Sequence, residues 1–141
     1  MRPMNETDFL SIIGHFGFAK AGEISLTGDY PTFELANLGG ERGFVYLWVE
    51  ILGQTFTVVY VGKAGGTLQE RCNQHAGGFK HSPTGRAHAD RLRQGISENK
   101  RYVVCARKSE TKDILGESGI SMDCIEELAF IQKFRPSWNA A

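Results

Sequence analysis

FVYLWVEIL, residues 44–52, is followed by Gly53-Gln54 and then by TFTVVYVG, residues 55–62. Both runs are β-branched and aromatic and only a short break separates them, so they read as an antiparallel hairpin. Lys63-Ala64-Gly65-Gly66 comes next, and then Thr67-Leu68-Gln69-Glu70. The last four have the Thr-x-x-Glu form of a capping box, so a helix starts at Thr67. It is predicted to reach about Ala76 and to stop at Gly77-Gly78, with Arg71 and His75, four apart, on one face.

Outward from this centre, a helix is predicted over 85–94, a strand over 101–107, and a polar, glycine-containing loop. A last helix is capped by Ser121 and ends before Pro136, because a proline pushes the preceding residue out of the α region. On the N-terminal side, Phe9, Ile12, Ile13 and Phe16 recur at helical spacing behind Asn5 or Thr7. Residues 17–42 are rich in Gly, Thr, Asp and Pro and carry no sustained period, which predicts irregular structure or short strands. The fold class expected is therefore α/β: a small, mostly antiparallel, three-stranded central sheet flanked by helices. Residues 1–42 would form a helical and irregular extension packed on a domain spanning 43–141.

The register of the hairpin has a functional consequence. Tyr46 shares a strand face with Phe44 and Trp48, and Tyr60 shares one with Phe56 and Val58. Direct pairing of the two tyrosines needs the odd-length loop Leu52-Gly53-Gln54. A two-residue turn at Gly53-Gln54 would put them on opposite faces unless a bulge restores the phase.

The 141 residues are 41% apolar and 23% charged, which fits one globular domain. No apolar run approaches the roughly 20 residues that span a bilayer, and Met1 to Glu6 lack the features of a signal peptide, so no membrane partner is expected. Three widely spaced cysteines, an odd number, point to reduced thiols in the cytoplasm. The net charge of zero conceals a division. Residues 1–59 hold three basic and seven acidic residues, whereas residues 60–108 hold ten basic and three acidic, a surplus of seven positive charges. Lys80, His81, Arg86, His88, Arg91 and Arg93 are its candidate nucleic-acid contacts, solvated charge being the bland alternative.

Two places invite chemistry. On the last helix, Cys124, Leu128, Phe130, Ile131 and Phe134 fall within an arc of about 160 degrees, with Glu127 near its middle and Glu126 outside it. A carboxylate turned into a packed face needs a partner, either a basic side chain in a buried salt bridge or a cation. At the end of the second strand, Tyr60 and Lys63 precede a helix bearing Arg71 and His75, so phenol, ammonium, guanidinium and imidazole come near one another. Cys72 and His75 have the spacing of half a zinc site, but no second half exists, and no phosphate-binding loop matches the glycines at 62, 65 and 66.

Phe44-Val45-Tyr46, Tyr60-Val61-Gly62-Lys63, Arg71 with His75, Glu127, and Arg135-Pro136-Ser137-Trp138-Asn139, in that order, resemble the GIY-YIG endonucleases. The final segment is similar to the end of that domain in the UvrC repair nucleases. The resemblance covers Gly43 to Asn139. It implies hydrolysis of DNA phosphodiester bonds with Mg²⁺, or Mn²⁺, held by Glu127, and with Arg71 stabilising charge on the phosphoryl oxygens. Tyr46 would accept a proton from the attacking water, supported by His75. Tyr60 would position water or phosphate, Lys63 would help lower a phenol's pKa, and Asn139 would order the site. The two tyrosines and the histidine could exchange these roles. His81 and His88 compete for the place of a further histidine found in some relatives. The same site chemistry would serve a ribonuclease, and a silent nucleic-acid-binding module is the alternative from another class. Cutting both DNA strands would call for a homodimer or sequential nicking, and a toxin-type role for an inhibitor or immunity protein.

Overall fold

A computed structural model describes residues 2–139. Two strands, β4 (Phe44–Leu52) and β5 (Thr55–Ala64), form the predicted hairpin. Its turn is the two-residue Gly53-Gln54, with Leu52 opposite Thr55 and Gly53 at φ +60°. That φ favours glycine at the first position of a tight hairpin turn. The pairing shifts between Trp48 and Val49, so Val49 faces Val58 while Trp48 faces Tyr60 and Tyr46 faces Gly62. Val59 is the extra residue of this bulge. Tyr46 and Tyr60 are not directly paired, but the bulge restores the phase and puts them on one face with Trp48.

The sheet is larger than the sequence reading allows. Among the described residues, the expected three-stranded sheet is replaced by six strands in the order β1-β5-β4-β6-β2-β3, with a separate pair β7-β8 and four helices. β1 is Met4–Asn5, β2 Ala19–Thr27, β3 Tyr30–Leu35, β6 Arg101–Lys108, β7 Thr111–Ile114 and β8 Glu117–Ser121. All pairings are antiparallel. The segment expected to be irregular or to form short strands thus enters the sheet through β2 and β3. Its alternation escaped reading because a register shift between Lys20 and Gly22 breaks the period of two. Pro31, which argues against a central strand, is tolerated because β3 lies at the sheet edge.

β4 lies between β5 and β6 and is buried at every position from Phe44 to Val49. One face packs Tyr46, Trp48 and Val104 against α2 (Leu68–His81) and α3 (Pro83–Ser97). The other packs Val45, Leu47, Val49 and Val103 against α1 (Glu6–His15) and α4 (Asp123–Phe134). Of the two caps offered for α1, Asn5 is the one used, accepting from the Asp8 amide at 2.8 Å, and Thr67 caps α2 as read, accepting from the Glu70 amide at 3.1 Å. α2 does not stop at Gly77-Gly78. A Cβ on Gly85 would run into the Gly78 carbonyl, so these glycines allow α2 and α3 to approach closely. Ser82 then caps α3, with Pro83 in its first turn. α4 ends at Phe134 before Pro136 as predicted, but its N-cap is Met122, not Ser121.

The buried face of α4 also differs from expectation. Cys124 and Leu128 are exposed, while Asp123, Phe130 and Phe134 are buried. Glu126, predicted to face solvent, is only 13% exposed and pairs with Arg107 at 3.2 Å. The structural salt bridge weighed for Glu127 belongs to Glu126. Among the described residues no helix is long and apolar enough to cross a membrane.

Candidate active site

Beneath α2 and α3, strands β4 and β5 present Tyr46, Trp48 and Tyr60 to His75 and His88. The Tyr46 hydroxyl lies 2.5 Å from Nε2 of His75. The Tyr60 ring is 5.7 Å from that of His75 and 5.0 Å from that of His88, centre to centre. Tyr46 fits here because its paired residue is Gly62, where any Cβ would collide with the phenol ring. A cleft of about 210 Å³ opens onto the group, lined by Tyr60, Arg71, Gln74, His75, Ser82 and His88 among others. Tyr46 is fully buried behind that wall.

Burial governs the protonation of the group. It pushes the Tyr46 phenol well above its ordinary value, with the neighbouring Tyr60 adding to the rise and Arg71 opposing it. The Tyr60 phenol is raised by burial and by Glu127, again against Arg71. Burial lowers the pKa of His75 to about 3, and the charges of Arg71 and His88 add to the fall. Burial lowers His88 as well, although its bond to the Trp138 carbonyl opposes this. Both rings are therefore neutral near pH 7. His88 Nε2 lies 3.1 Å from the carbonyl oxygen of Trp138, which can only accept. The Nε2 proton is thereby assigned, and Nδ1 is left with the lone pair.

Glu127 sits half-buried at the margin of this group. Desolvation raises its carboxyl pKa, the charges of Lys63 and Arg71 oppose the rise, and Asp123 adds to it. Lys63 in turn is raised chiefly by Cys124, then by Asp123 and Glu127. Sequence reasoning missed Asp123, which is 7% exposed and one helical turn before Glu127. The spacing of four was the available signal. It also missed Trp48, whose ring lies 4.5 Å from Tyr60 and 4.9 Å from His75 and whose buried Nε1 has no hydrogen-bond partner among the described residues. The face shared with Tyr46 could have revealed it. Among the described residues, no three His, Cys, Asp or Glu side chains are grouped to hold a metal.

Asn139 does not enter the cleft. Its Oδ1 accepts from the Val61 amide at 2.9 Å and its Nδ2 donates to the Val61 carbonyl at 2.8 Å, while the Trp138 amide donates to Val59 at 2.9 Å. The C-terminal segment thus clamps β5 beside Tyr60. Of the basic candidates, His88 is buried in the group itself, whereas His81, Arg86 and Arg91 are exposed. Lys80 lies over the ring of Tyr30, and Arg93 is held by Asp90 and the Asp29 carbonyl.

No family model matches the sequence, and no curated protein matches it. Two solved structures are similar in fold. One is a glutamate-to-alanine variant of bacteriophage T4 EndoII, at 17% identity and a TM-score of 0.70, covering 97% of this chain and 100% of that one. The other is the restriction endonuclease HPY188I in complex with product DNA, at 16% identity and a TM-score of 0.56, covering 93% of this chain and 79% of that one.

Proposed function

We propose that the chain is a cytoplasmic, divalent-metal-dependent endonuclease of the GIY-YIG type that hydrolyses DNA phosphodiester bonds. The observation that carries this reading is the meeting of Tyr60, Arg71 and His75 at one cleft, with Tyr46 buried behind it and Glu127 within electrostatic reach of Tyr60 and Arg71. The fold shared with two endonucleases, one bound to product DNA, supports it.

The donor set suits Mg²⁺ or Mn²⁺ and not zinc. Glu127, with Asp123 one turn away, offers hard oxygen ligands, and Mg²⁺ is commonly held by one or two carboxylates with water and substrate phosphate. When bound there, the ion would supply Lewis-acid polarisation of the phosphate and stabilise the departing oxygen. Arg71 reaches the cleft with a permanently charged planar fork, suited to two phosphoryl oxygens at once. Tyr60, on the cleft wall, orients the attacking water. His75 accepts the proton as a neutral imidazole; burial is the main reason that it stays neutral, and a phosphate on Arg71 would offset only the smaller effect of that charge. Tyr46, behind the wall, holds His75 in place through its hydroxyl. Lys63 steadies the Glu127 carboxylate, and Asn139 fixes the strand that carries Tyr60.

The test is incubation of the purified protein with plasmid, single-stranded DNA and RNA, with Mg²⁺ or with EDTA. Plasmid cleavage that needs Mg²⁺ and disappears in Glu127→Gln is the expected outcome. Cleavage of RNA alone would assign a ribonuclease, and no cleavage over a range of metals would leave a binding module.

A further inference from the structure

One polar side chain at the cleft has no part in the chemistry above. Gln74 lines the opening with Arg71 and His75. Its Oε1 accepts a hydrogen bond from Nη1 of Arg71 at 3.1 Å. A guanidinium has donors and no acceptor, so the amide oxygen, and not the amide nitrogen, is the atom turned toward it. The two residues are three apart on α2, which places both side chains on one face of the helix.

What Arg71 needs from its surroundings limits the choice of partner. Gripping two phosphoryl oxygens at once requires the fork to be held in one plane, yet the arginine side chain is long and rich in rotamers. The phenols of Tyr46 and Tyr60 interact with the guanidinium from the sheet side. Among the described residues no carboxylate forms an ion pair with it, and Glu127 acts on it only at longer range. A carboxylate in place of Gln74 would hold the fork firmly but would cancel the charge that draws a phosphate. A neutral amide oxygen holds it and cancels nothing. The same helix supplies a contrast, because Gln69 donates to Asn73 at 2.8 Å and neither of these lines the cleft.

Resting on the endonuclease reading of the cleft, we propose that Gln74 is a positioning residue whose amide oxygen fixes the plane of the Arg71 guanidinium while leaving its positive charge intact. A misaligned fork still attracts the phosphate as a point charge, but it no longer matches the reacting geometry. Loss of Gln74 therefore shows in kcat and not in KM.

Gln74 is exposed on its helix, so substitution leaves the fold in place, which thermal melts check. Cleavage kinetics with Mg²⁺ compare the wild type, Gln74→Met, Gln74→Glu and Gln69→Met. Methionine keeps the length of the side chain and removes the acceptor, so kcat should fall about 10- to 100-fold with KM unchanged. Gln74→Glu should bond Arg71 more strongly and cleave less still, because its carboxylate neutralises the fork and repels the phosphate. In a Glu127→Gln background, duplex binding by Gln74→Glu should lose about 0.9 from the slope of log K against log salt, and Gln74→Met should lose nothing. Gln69→Met should cleave as the wild type does. A purely structural bond would give another order, with Gln74→Glu the most active of the Gln74 variants. That order, a wild-type kcat in Gln74→Met, or a loss confined to KM would overturn the proposal, while cleavage by the wild type would uphold the endonuclease reading. A wild type that cleaves no DNA would instead overturn the endonuclease reading, and this role with it.

Discussion

Adjacent carboxylates on α4 have opposite assignments, and substitution separates them. Glu127→Gln removes the charged ligand of the proposed ion and should leave the fold intact. Glu126→Gln should do the reverse. Arg107 is only 15% exposed and gives Nη1 to the Phe16 carbonyl and Nη2 to Glu126, while Glu126 also accepts from the Glu110 amide at 2.9 Å. Removing the charge leaves a largely desolvated guanidinium, at a cost of about 3 kcal/mol. A drop in Tm of about 10 °C follows for a chain of this size, with cleavage retained at temperatures where the variant is folded; an unchanged Tm would refute the structural assignment. His75 makes a separate prediction about acid. Its pKa falls from 6.5 to about 3 on folding, so the unfolded chain binds the proton first as pH drops. The sign is therefore destabilising: stability is full above about pH 6.5 and falls progressively toward pH 3. Each unit of the window is worth about 1.4 kcal/mol, so a few kcal/mol are lost by about pH 4. Thermal melts of His75→Gln should show a flatter decline than the wild type between pH 6.5 and 4. Parallel declines would mean that His75 does not titrate as a buried neutral imidazole.

Glycine positions set how the elements approach one another. Gly85→Ala would push a methyl into the Gly78 carbonyl where α2 meets α3. Backbone cannot move aside as a side chain can, so a loss of about 1–3 kcal/mol is expected in urea unfolding. Because α2 carries Arg71 and His75 while α3 carries His88, cleavage at permissive temperature should fall too. Full stability and full activity in Gly85→Ala would show that the helices are free to separate. Local signals were the legible ones. The hairpin, the Asn5 and Thr67 caps and the stop before Pro136 each depend on a few adjacent residues, and each was readable in the sequence. The bulge was readable only as a condition for Tyr46 and Tyr60 to share a face. β2 and β3 were legible only as an open alternative to irregular structure, because of a register shift and an edge proline. The β7-β8 pair was hidden because it buries almost nothing and so has no apolar alternation to read. Misreading the buried face of α4 followed from taking Cys124 and Leu128 as core, when the helix meets the sheet through Phe130 and Phe134. The reading of Glu127 from that face falls with it, and the role proposed for Glu127 rests on the ordered resemblance and on its place beside Lys63 and Arg71.

Across the whole molecule, the sheet separates two environments. One face is an apolar ladder of Val45, Leu47, Val49, Val58, Val61 and Val103 closed by α1 and α4. The other mixes tyrosine, tryptophan and histidine under α2 and α3, the helices that bear much of the positive charge of residues 60–108. That charge is not all free to meet a polyanion. Arg93 is tied to Asp90 and to the Asp29 carbonyl, so it braces α3 against the β2-β3 turn. Arg86 is exposed and has no ion-pair partner among the described residues. Arg91 lies over the Trp138 ring at 6.0 Å and keeps an exposed guanidinium. Salt dependence of binding distinguishes these states, since each phosphate neutralised on double-stranded DNA contributes about 0.9 to the slope of log K against log salt. With a catalytically inactive Glu127→Gln background and a short duplex, Arg86→Gln and Arg91→Gln should each flatten the slope by about 0.9. Arg93→Gln should leave the slope near that of the parent, because its charge is already matched within α3. Equal flattening by all three would mean that the Asp90 pair opens when DNA binds. A slope near zero in the parent would remove the α2-α3 surface as a DNA-binding face.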